Sequence, residues 1–203
     1  IAEAGYEAGK EVALSLDIAA TEFYQDGKYH LGLEKESFSS TEFCDLMIQW
    51  CEKYPIISIE DPLAENDWEG WERFTNAMGR KVQIIGDDLF TTNIKRIDKG
   101  ISRGIANSVL IKLNQIGTVT ETQACIKRTQ EANWLPVVSG RSGETEDTFI
   151  DHLAVATNAG QLKAGSFARS ERTVKWNEVL RIQRQLGDEA RFIGGKIYNR
   201  IID

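Results

Sequence analysis

The chain has few residues of the kinds that bind transition metals or cross-link a fold. Its 203 residues include three cysteines and two histidines, and Cys44, Cys51 and Cys125 form no CxxC pair. Cys44 and Cys51 are seven residues apart, a spacing typical of one helix face. We therefore expect these thiols in a core rather than in a zinc site or a disulfide bridge. A reducing cytoplasm is the compartment that fits this composition best.

Long apolar runs and an excess of positive charge are also absent. No stretch approaches the ~20 apolar residues that a membrane-spanning helix needs, although hydrophobic residues make up 41% of the chain. The net charge of −7 argues against nucleic acid as a partner. The start, IAEAGYEAGK, shows neither the basic nor the apolar region of a secretion signal. No proline-rich or low-complexity linker divides the chain, so we expect one domain over residues 1–203.

Short apolar runs alternate with amphipathic stretches along the chain. The strand-like runs are VALSLDI (12–18), IISIEDP (56–62), KVQIIGDD (81–88), SVLIKL (108–113), LPVVSG (135–140) and QLKAGS (161–166). The helical stretches cover residues 41–54, 67–79, 92–104, 118–133, 147–160 and 173–187. Six strand–helix units in succession, with strands that are apolar on both faces, predict a parallel α/β sheet covered by helices.

Charged residues lie at or just past the carboxyl end of every predicted strand. They are Asp17, Glu60 with Asp61, Asp87 with Asp88, Lys112, Arg141 and Lys163. In a TIM-type (β/α) barrel the carboxyl ends of all strands converge on one mouth, so the pattern predicts an active site there. Six units are two short of a complete barrel of eight, and we expect an incomplete one. An open doubly wound sheet is the weaker alternative, since its strand ends spread along an edge.

Three carboxylates at these strand ends indicate a metal site. Asp17, Glu60 and Asp87 would repel one another strongly unless a cation lay between them. Oxygen ligands without neighbouring histidine or cysteine select a hard ion, Mg²⁺ before Zn²⁺. Any one of these acids could instead cap a helix or pair with a local lysine.

Two lysines follow apolar strands, where a lysine is costly to bury unless it is paired. A lysine that faces cation-stabilised negative charge can remove a proton next to a carboxylate, with an enediolate as the intermediate. Lys112 and Lys163 are the candidates for this chemistry. Each could alternatively serve only as the partner of a barrel carboxylate.

The stretch VVSGRSGETED (137–147) combines a strand, a glycine turn and a run of acids. We predict a buried strand, a tight turn over 139–143 and the acid-rich first turn of a helix over 144–147. Free backbone N–H groups at a helix N-terminus, together with the turn, would make an anion site. An ordinary strand-to-helix connection with a good cap is the plain alternative.

Six motifs spread over nearly the whole chain resemble the C-terminal part of the enolase family. They are SLDIAATEF, SIEDPLAENDW, GDDLFTTN, LIKLNQIGT, SGRSGETEDT and KAGSFARSER. The resemblance implies that Asp17, Glu60 and Asp87 are magnesium ligands. It also implies an enolase-type TIM barrel as the fold.

The resemblance further implies the roles of the residues that would contact substrate. Lys112 corresponds to the catalytic base and Lys163 to the lysine that holds the substrate carboxylate, with Glu60 beside it. Arg141 and Ser142 correspond to residues of the phosphate site. The implied reaction is a carbon–oxygen lyase step of glycolysis, the reversible dehydration of 2-phosphoglycerate to phosphoenolpyruvate with two Mg²⁺ ions. Homo-oligomers, dimers or octamers, and a cytoplasmic location with a secondary presence at the cell surface also follow from the resemblance.

Two departures from the family pattern bear on activity. Gly140 stands where the family has histidine, which removes one imidazole donor near the substrate. The N-terminal α+β domain and the first barrel strands of enolases, which hold further acidic residues and a mobile loop, have no counterpart in residues 1–16. We therefore expect residues 1–203 alone to be inactive.

Two alternative functions stay open: a non-catalytic scaffold or binding protein, and an enolase-superfamily lyase that acts on another carboxylate. The SGRSGETED loop argues against the second alternative.

Overall fold

The six predicted strand–helix units occur in the order that the sequence predicts. The computed structural model describes residues 1–200. The strands are β1 (Leu14–Asp17), β2 (Tyr24–Gln25), β3 (Lys28–Leu31), β4 (Glu36–Ser39), β5 (Ile56–Glu60), β6 (Gln83–Gly86), β7 (Ser108–Ile111), β8 (Leu135–Ser139) and β9 (Leu162–Lys163). The helices are α1 (Ser40–Lys53), α2 (Trp68–Met78), α3 (Ile94–Arg103), α4 (Leu113–Ile116), α5 (Val119–Glu131), α6 (Phe149–Ala156) and α7 (Ser170–Leu186).

Six parallel strands within residues 1–200 form one sheet, in the order β1-β5-β6-β7-β8-β9. Although β1 and β9 are the two ends of this order, Lys163 Nζ on β9 lies 2.8 Å from Asp17 Oδ2 on β1. In a flat sheet, five strand spacings would separate these strands by about 24 Å. The sheet is therefore curled into a half-barrel, which confirms the incomplete barrel and excludes the open doubly wound alternative.

Alternate residues of the strands pack on the two faces of the curled sheet. The outer face packs against the helices in one large core cluster, which joins strand residues such as Ile59, Ile84 and Val109 to helix residues such as Trp71 and Phe74. On the other face, strand residues Ile85, Leu110 and Val137 form a second, smaller cluster. Both faces thus bury apolar side chains, and the sequences of the strands are therefore continuous hydrophobic runs.

Local sequence signals set the ends of the helices. The α1 helix begins with a capping box, in which Ser39 Oγ accepts from Glu42 N–H and the Glu42 carboxylate accepts from Ser39 N–H. At the starts of α2 and α3, the side chains of Asp67 and Asn93 accept hydrogen bonds from backbone N–H groups of the first turn. The α3 helix ends at Gly104, whose φ of 64° is the left-handed conformation of a C-cap glycine.

A three-stranded antiparallel sheet, β2-β3-β4, lies between β1 and α1 and was not among the predicted elements. Its first hairpin turns through Asp26 and Gly27, both with positive φ (51° and 78°), which is the backbone that a two-residue hairpin loop requires. Tyr29 of β3 is fully buried. Its ring stacks on Phe43 of α1 with centroids 4.3 Å apart. The Asp-Gly pair was the sequence signal that could have revealed this sheet.

The expectation for the cysteines is confirmed, and the expectation for one helix start is wrong. Cys44 and Cys125 are buried, Cys51 is half-buried, and all three thiols are free. The acids at 144–147 do not open a helix: α6 begins only at Phe149, and these acids lie in a loop. The prediction of a helix turn there was wrong. Among the helices of residues 1–200, none is long and apolar enough to cross a membrane.

Candidate active site at the strand ends

The carboxyl ends of the strands border a cavity of about 420 Å³ on the inner side of the curled sheet. It is lined by Ser15, Leu16, Asp17, Ser58, Glu60, Ile85, Val137, Gln161, Leu162, Lys163 and Tyr198. Parallel pairing places Asp17 opposite Glu60 and Ser139 opposite Lys163, so the ends of neighbouring strands stand side by side. This is the edge at which a barrel carries its functional groups.

Lys163 joins two of the predicted metal ligands. Its Nζ donates to Asp17 Oδ2 at 2.8 Å and to Glu60 Oε1 and Oε2 at 2.9 and 2.8 Å. Glu60 is 4% exposed. Burial raises the pKa of Glu60 to about 7, against the opposing effect of the hydrogen bonds and charge of Lys163. Burial lowers the pKa of Lys163, but the hydrogen bonds to both carboxylates outweigh it and raise that pKa overall.

Lys112 and Asp87 form a second pair at the neighbouring strand ends. Lys112 Nζ donates to Asp87 Oδ2, and Gln115 Nε2 donates to the other oxygen, Oδ1, at 2.9 Å. Thr92 completes the network, since its hydroxyl donates to Gln115 Oε1 at 2.7 Å and accepts from Lys112 N–H at 2.9 Å. Both oxygens of Asp87 are therefore fixed, and the contact with Asp87 holds the Lys112 ammonium at the ends of β6 and β7.

Asp61 orders the acids that follow β6. Its two carboxylate oxygens accept from Asp87 N–H and Asp88 N–H, each at 2.9 Å. Asp61 is almost fully buried and takes a positive φ of 41°, unusual for a residue other than glycine. Burial raises its pKa to about 8, although the two backbone hydrogen bonds lower it and the charges of Asp87 and Asp88 add to the rise.

The oxygen ligands at this mouth suit a hard divalent cation. Carboxylate oxygens of Asp61, Asp87 and Asp88 lie within 4.8 Å of one another, a grouping that could hold a metal ion. Asp17 and Glu60 meet around Lys163, and the charges of Asp17 and Asp87 both raise the pKa of Glu60. Of the three predicted ligands, Asp87 belongs to the grouping within 4.8 Å, while Asp17 and Glu60 lie at Lys163 instead. An all-carboxylate set fits Mg²⁺ better than a metal that prefers nitrogen or sulfur.

Asp61, Asp88, Gln115 and Thr92 were not among the predicted site residues. The doubled acids Glu60-Asp61 and Asp87-Asp88 were visible in the sequence, but nothing in it told which acid of each pair binds and which one orders the backbone. The roles of Gln115 and Thr92 depend on contacts 23 residues apart, which no local pattern encodes.

The loop with Arg141 and Ser142 starts beside Lys163. Gly140 N–H donates to Lys163 O at 3.1 Å, and both Arg141 and Ser142 are exposed. The Glu144 carboxylate accepts from Arg141 N–H at 2.9 Å. Because α6 begins only at Phe149, the anion site expected at its first turn is not formed by residues 144–147. Any anion would be bound by the loop itself.

The whole length of this barrel portion matches one protein family. The family model "Enolase, C-terminal TIM barrel domain" matches residues 1–201. The match covers all the strand ends described above, from Asp17 to Lys163, and agrees with the half-barrel of parallel strands. The chain therefore belongs to the enolase family, in the part that forms the C-terminal TIM barrel domain.

Proposed function

We propose that this chain supplies the catalytic mouth of a Mg²⁺-dependent enolase, which interconverts 2-phosphoglycerate and phosphoenolpyruvate in glycolysis. The observation that carries the proposal is the pair of lysine–carboxylate clusters at one mouth. Lys163 lies between Asp17 and Glu60, and Lys112 contacts Asp87. Two lysines and several carboxylates in one place match a reaction that removes a proton beside a carboxylate.

Asp17, Glu60 and Asp87 are the residues that would hold the cation. Asp61 supports one of them, Asp87, because it fixes the backbone of Asp87 and Asp88 through two hydrogen bonds of 2.9 Å. When bound, Mg²⁺ supplies positive charge that stabilises the negative charge developing on the substrate carboxylate. This support by a buried residue keeps the ligands in place before substrate arrives.

Lys112 is the proposed base that takes the proton from C2 of 2-phosphoglycerate. Its side chain is 13% exposed and its ammonium contacts Asp87. The network of Asp87, Gln115 and Thr92 fixes the strand end that carries it. A base must lie within hydrogen-bond reach of the proton it removes, so the proposal requires that C2 of the substrate binds beside Lys112 Nζ.

Two groups next to C2 of the substrate need partners: Lys163 would bind the carboxylate, and Arg141 and Ser142 would bind the phosphate. Lys163 is the proposed partner of the substrate carboxylate, since its ammonium already binds carboxylates in this structure. Arg141 and Ser142 lie in the exposed loop next to Lys163, and a guanidinium can bind a phosphate through two hydrogen bonds. We further propose a homo-oligomeric protein, a dimer or octamer, that acts in the cytoplasm.

Formation of phosphoenolpyruvate by the protein at its natural length tests the proposal. We expect dehydration of 2-phosphoglycerate that requires Mg²⁺ and is lost on chelation. Glycerate, which lacks the phosphate, is the matched control and should not react. Turnover of an unphosphorylated carboxylate in preference to 2-phosphoglycerate would favour another lyase of the superfamily. No turnover of either would favour a scaffold or binding role.

A further inference from the structure

Lys175 is a buried lysine outside the proposed catalytic mouth. It lies on α7 and its side chain is fully buried. An ammonium group loses its hydration when it is buried, and that loss is tolerated only where the charge and the N–H donors find partners. The identity of those partners therefore indicates what the residue does.

The partners of Lys175 lie mainly in the loop that carries Arg141. Its Nζ donates to Thr145 O at 2.9 Å and lies 3.5 Å from Glu144 Oε2. The remaining hydrogen bond goes to Glu171 O on its own helix, at 2.9 Å. The ammonium thus attaches the loop to α7 through one backbone carbonyl and one carboxylate.

Glu144 continues this connection to Arg141. One oxygen of its carboxylate faces Lys175, and the other, Oε1, accepts from Arg141 N–H at 2.9 Å. Glu144 N–H donates in turn to Arg141 O at 3.2 Å. The backbone of Arg141 is therefore held at both its N–H and its C=O, while the side chains of Arg141 and Ser142 stay exposed.

The side chain of Glu144 also covers Gly140. A Cβ added at Gly140 would lie 2.9 Å from Glu144 Cγ, closer than two carbon atoms normally approach. The glycine thus leaves the space in which Glu144 folds back toward Arg141. Lys175, Glu144 and the Gly140–Arg141 turn form one connected unit.

We propose that Lys175 is a positioning residue that fixes Arg141 for an anionic ligand by acting through Glu144. The proposal rests on the phosphate-binding role given to Arg141 under the proposed function. A fixed loop loses less conformational freedom when the ligand binds, which favours binding without a new contact. The effect should therefore fall on KM for 2-phosphoglycerate more than on kcat.

Steady-state kinetics of Lys175→Met in the protein at its natural length provide the first test. We expect KM for 2-phosphoglycerate to rise about ten-fold while kcat changes less than about three-fold. Arg184→Met removes an exposed cation from the same helix and should leave both constants unchanged. A fall in kcat with unchanged KM would overturn the positioning role.

A double-mutant cycle tests whether Lys175 acts through Glu144. Glu144→Ala should raise KM by a similar factor, and the double variant should be no worse than the more affected single variant. Multiplied effects in the double variant would mean that the two residues act independently. Glu144→Gln keeps an acceptor for Arg141 N–H and should stay closer to the wild type than Glu144→Ala.

Trypsin cleavage after Arg141 tests the loop without substrate or activity. Lys175→Met and Glu144→Ala should be cut there at least about five-fold faster than the wild type, since a freed loop is a better protease substrate. Arg184→Met and Glu144→Gln should resemble the wild type. If Lys175→Met does not fold, Lys175→Gln, which keeps an N–H donor, replaces it.

The two kinds of measurement separate the two claims. If the wild type does not turn over 2-phosphoglycerate, the proposed function fails, and cleavage after Arg141 still decides whether Lys175 orders the loop. If the wild type is active but both cleavage after Arg141 and KM are unchanged in Lys175→Met, the positioning role is overturned and the proposed function stands.

Discussion

The ammonium of Lys163 on β9 lies 2.8 Å from the carboxylate of Asp17 on β1, across the open side of the curled sheet. The two strands are at opposite ends of the sheet order, and the residues are 146 positions apart in sequence. The contact also includes Glu60, whose buried carboxylate receives two hydrogen bonds from the same ammonium. The mouth of the barrel is thus defined by charges that the curl of the sheet brings together.

The half-barrel alone should not catalyse the reaction. In the sheet formed by residues 1–200, β1 and β9 each pair with one neighbour, so unpaired backbone groups line both edges. A protein expressed as residues 1–203 should therefore give no measurable phosphoenolpyruvate from 2-phosphoglycerate. Clear dehydration by purified residues 1–203, confirmed by intact mass, would contradict this expectation.

Replacing Asp87 by Asn should weaken Mg²⁺ binding more than about ten-fold, because the residue supplies a charged oxygen ligand whose geometry is fixed by Lys112 and Gln115. Isothermal titration of the protein at its natural length measures this affinity. Asp45→Asn, which removes an exposed acid on α1, is the matched control. Unchanged affinity in Asp87→Asn would remove Asp87 from the site.

The same titration separates two possible sets of ligands. If Asp17, Glu60 and Asp87 bind the ion, Asp17→Asn should weaken Mg²⁺ binding more than Asp88→Asn does. A larger loss of affinity in Asp88→Asn would favour the cluster of Asp61, Asp87 and Asp88, whose oxygens lie within 4.8 Å of one another.

Gly140→His should not simply restore the imidazole that the family has at this position. The new Cβ would lie 2.9 Å from Glu144 Cγ. Glu144 must therefore move, and this movement should weaken its hydrogen bond with Arg141 N–H. We expect kcat/KM to improve by less than about ten-fold in the single variant, since a gained donor is offset by a less ordered loop. A larger improvement would show that the space above Gly140 accommodates histidine freely.

Asp151 on α6 should make stability depend on pH. Burial raises the pKa of this carboxyl from 3.8 to about 6, against Lys175 and His152, which lower it, and with Glu178, which raises it. An acid whose pKa is higher in the folded protein contributes stability at low pH and loses it as pH rises through the folded pKa. The wild type should therefore lose stability relative to Asp151→Asn between about pH 4 and pH 6, by on the order of 1–3 kcal/mol.

Urea unfolding of wild type and Asp151→Asn at several pH values measures this difference. Comparing the two proteins cancels the effects of pH that both share. A difference in unfolding free energy that stays constant from pH 4 to pH 7 would show that Asp151 has an ordinary pKa.

The positions of four charged residues at strand ends could be predicted from the sequence. An apolar run that ends in an acid or a lysine has one geometric consequence in a parallel sheet, and Asp17, Glu60, Lys112 and Lys163 do lie at or just past the ends of their strands. Their roles in a site stay a prediction. The contacts among these residues could not be predicted, because the curl that brings β9 close to β1 is a property of the whole sheet.

The loop over residues 144–147 shows why its conformation could not be predicted from the sequence. The acids of residues 144–147 have the composition of a first helical turn, yet Glu144 is drawn to Arg141 N–H and to the buried Lys175. A tertiary contact with a residue 31 positions away thus overrides a local preference. In the sequence, Lys175 is one of several charged residues in the helical stretch 173–187, and only the structure shows that it is buried.

Exchange of the C2 proton of 2-phosphoglycerate with deuterated water tests the central claim most directly, because exchange requires only the first proton transfer. In the protein at its natural length with Mg²⁺, the wild type should exchange this proton, Lys112→Ala should abolish the exchange, and Lys163→Ala should slow it without removing the base. Exchange that persists in Lys112→Ala would contradict the assignment of Lys112 as the base at this mouth.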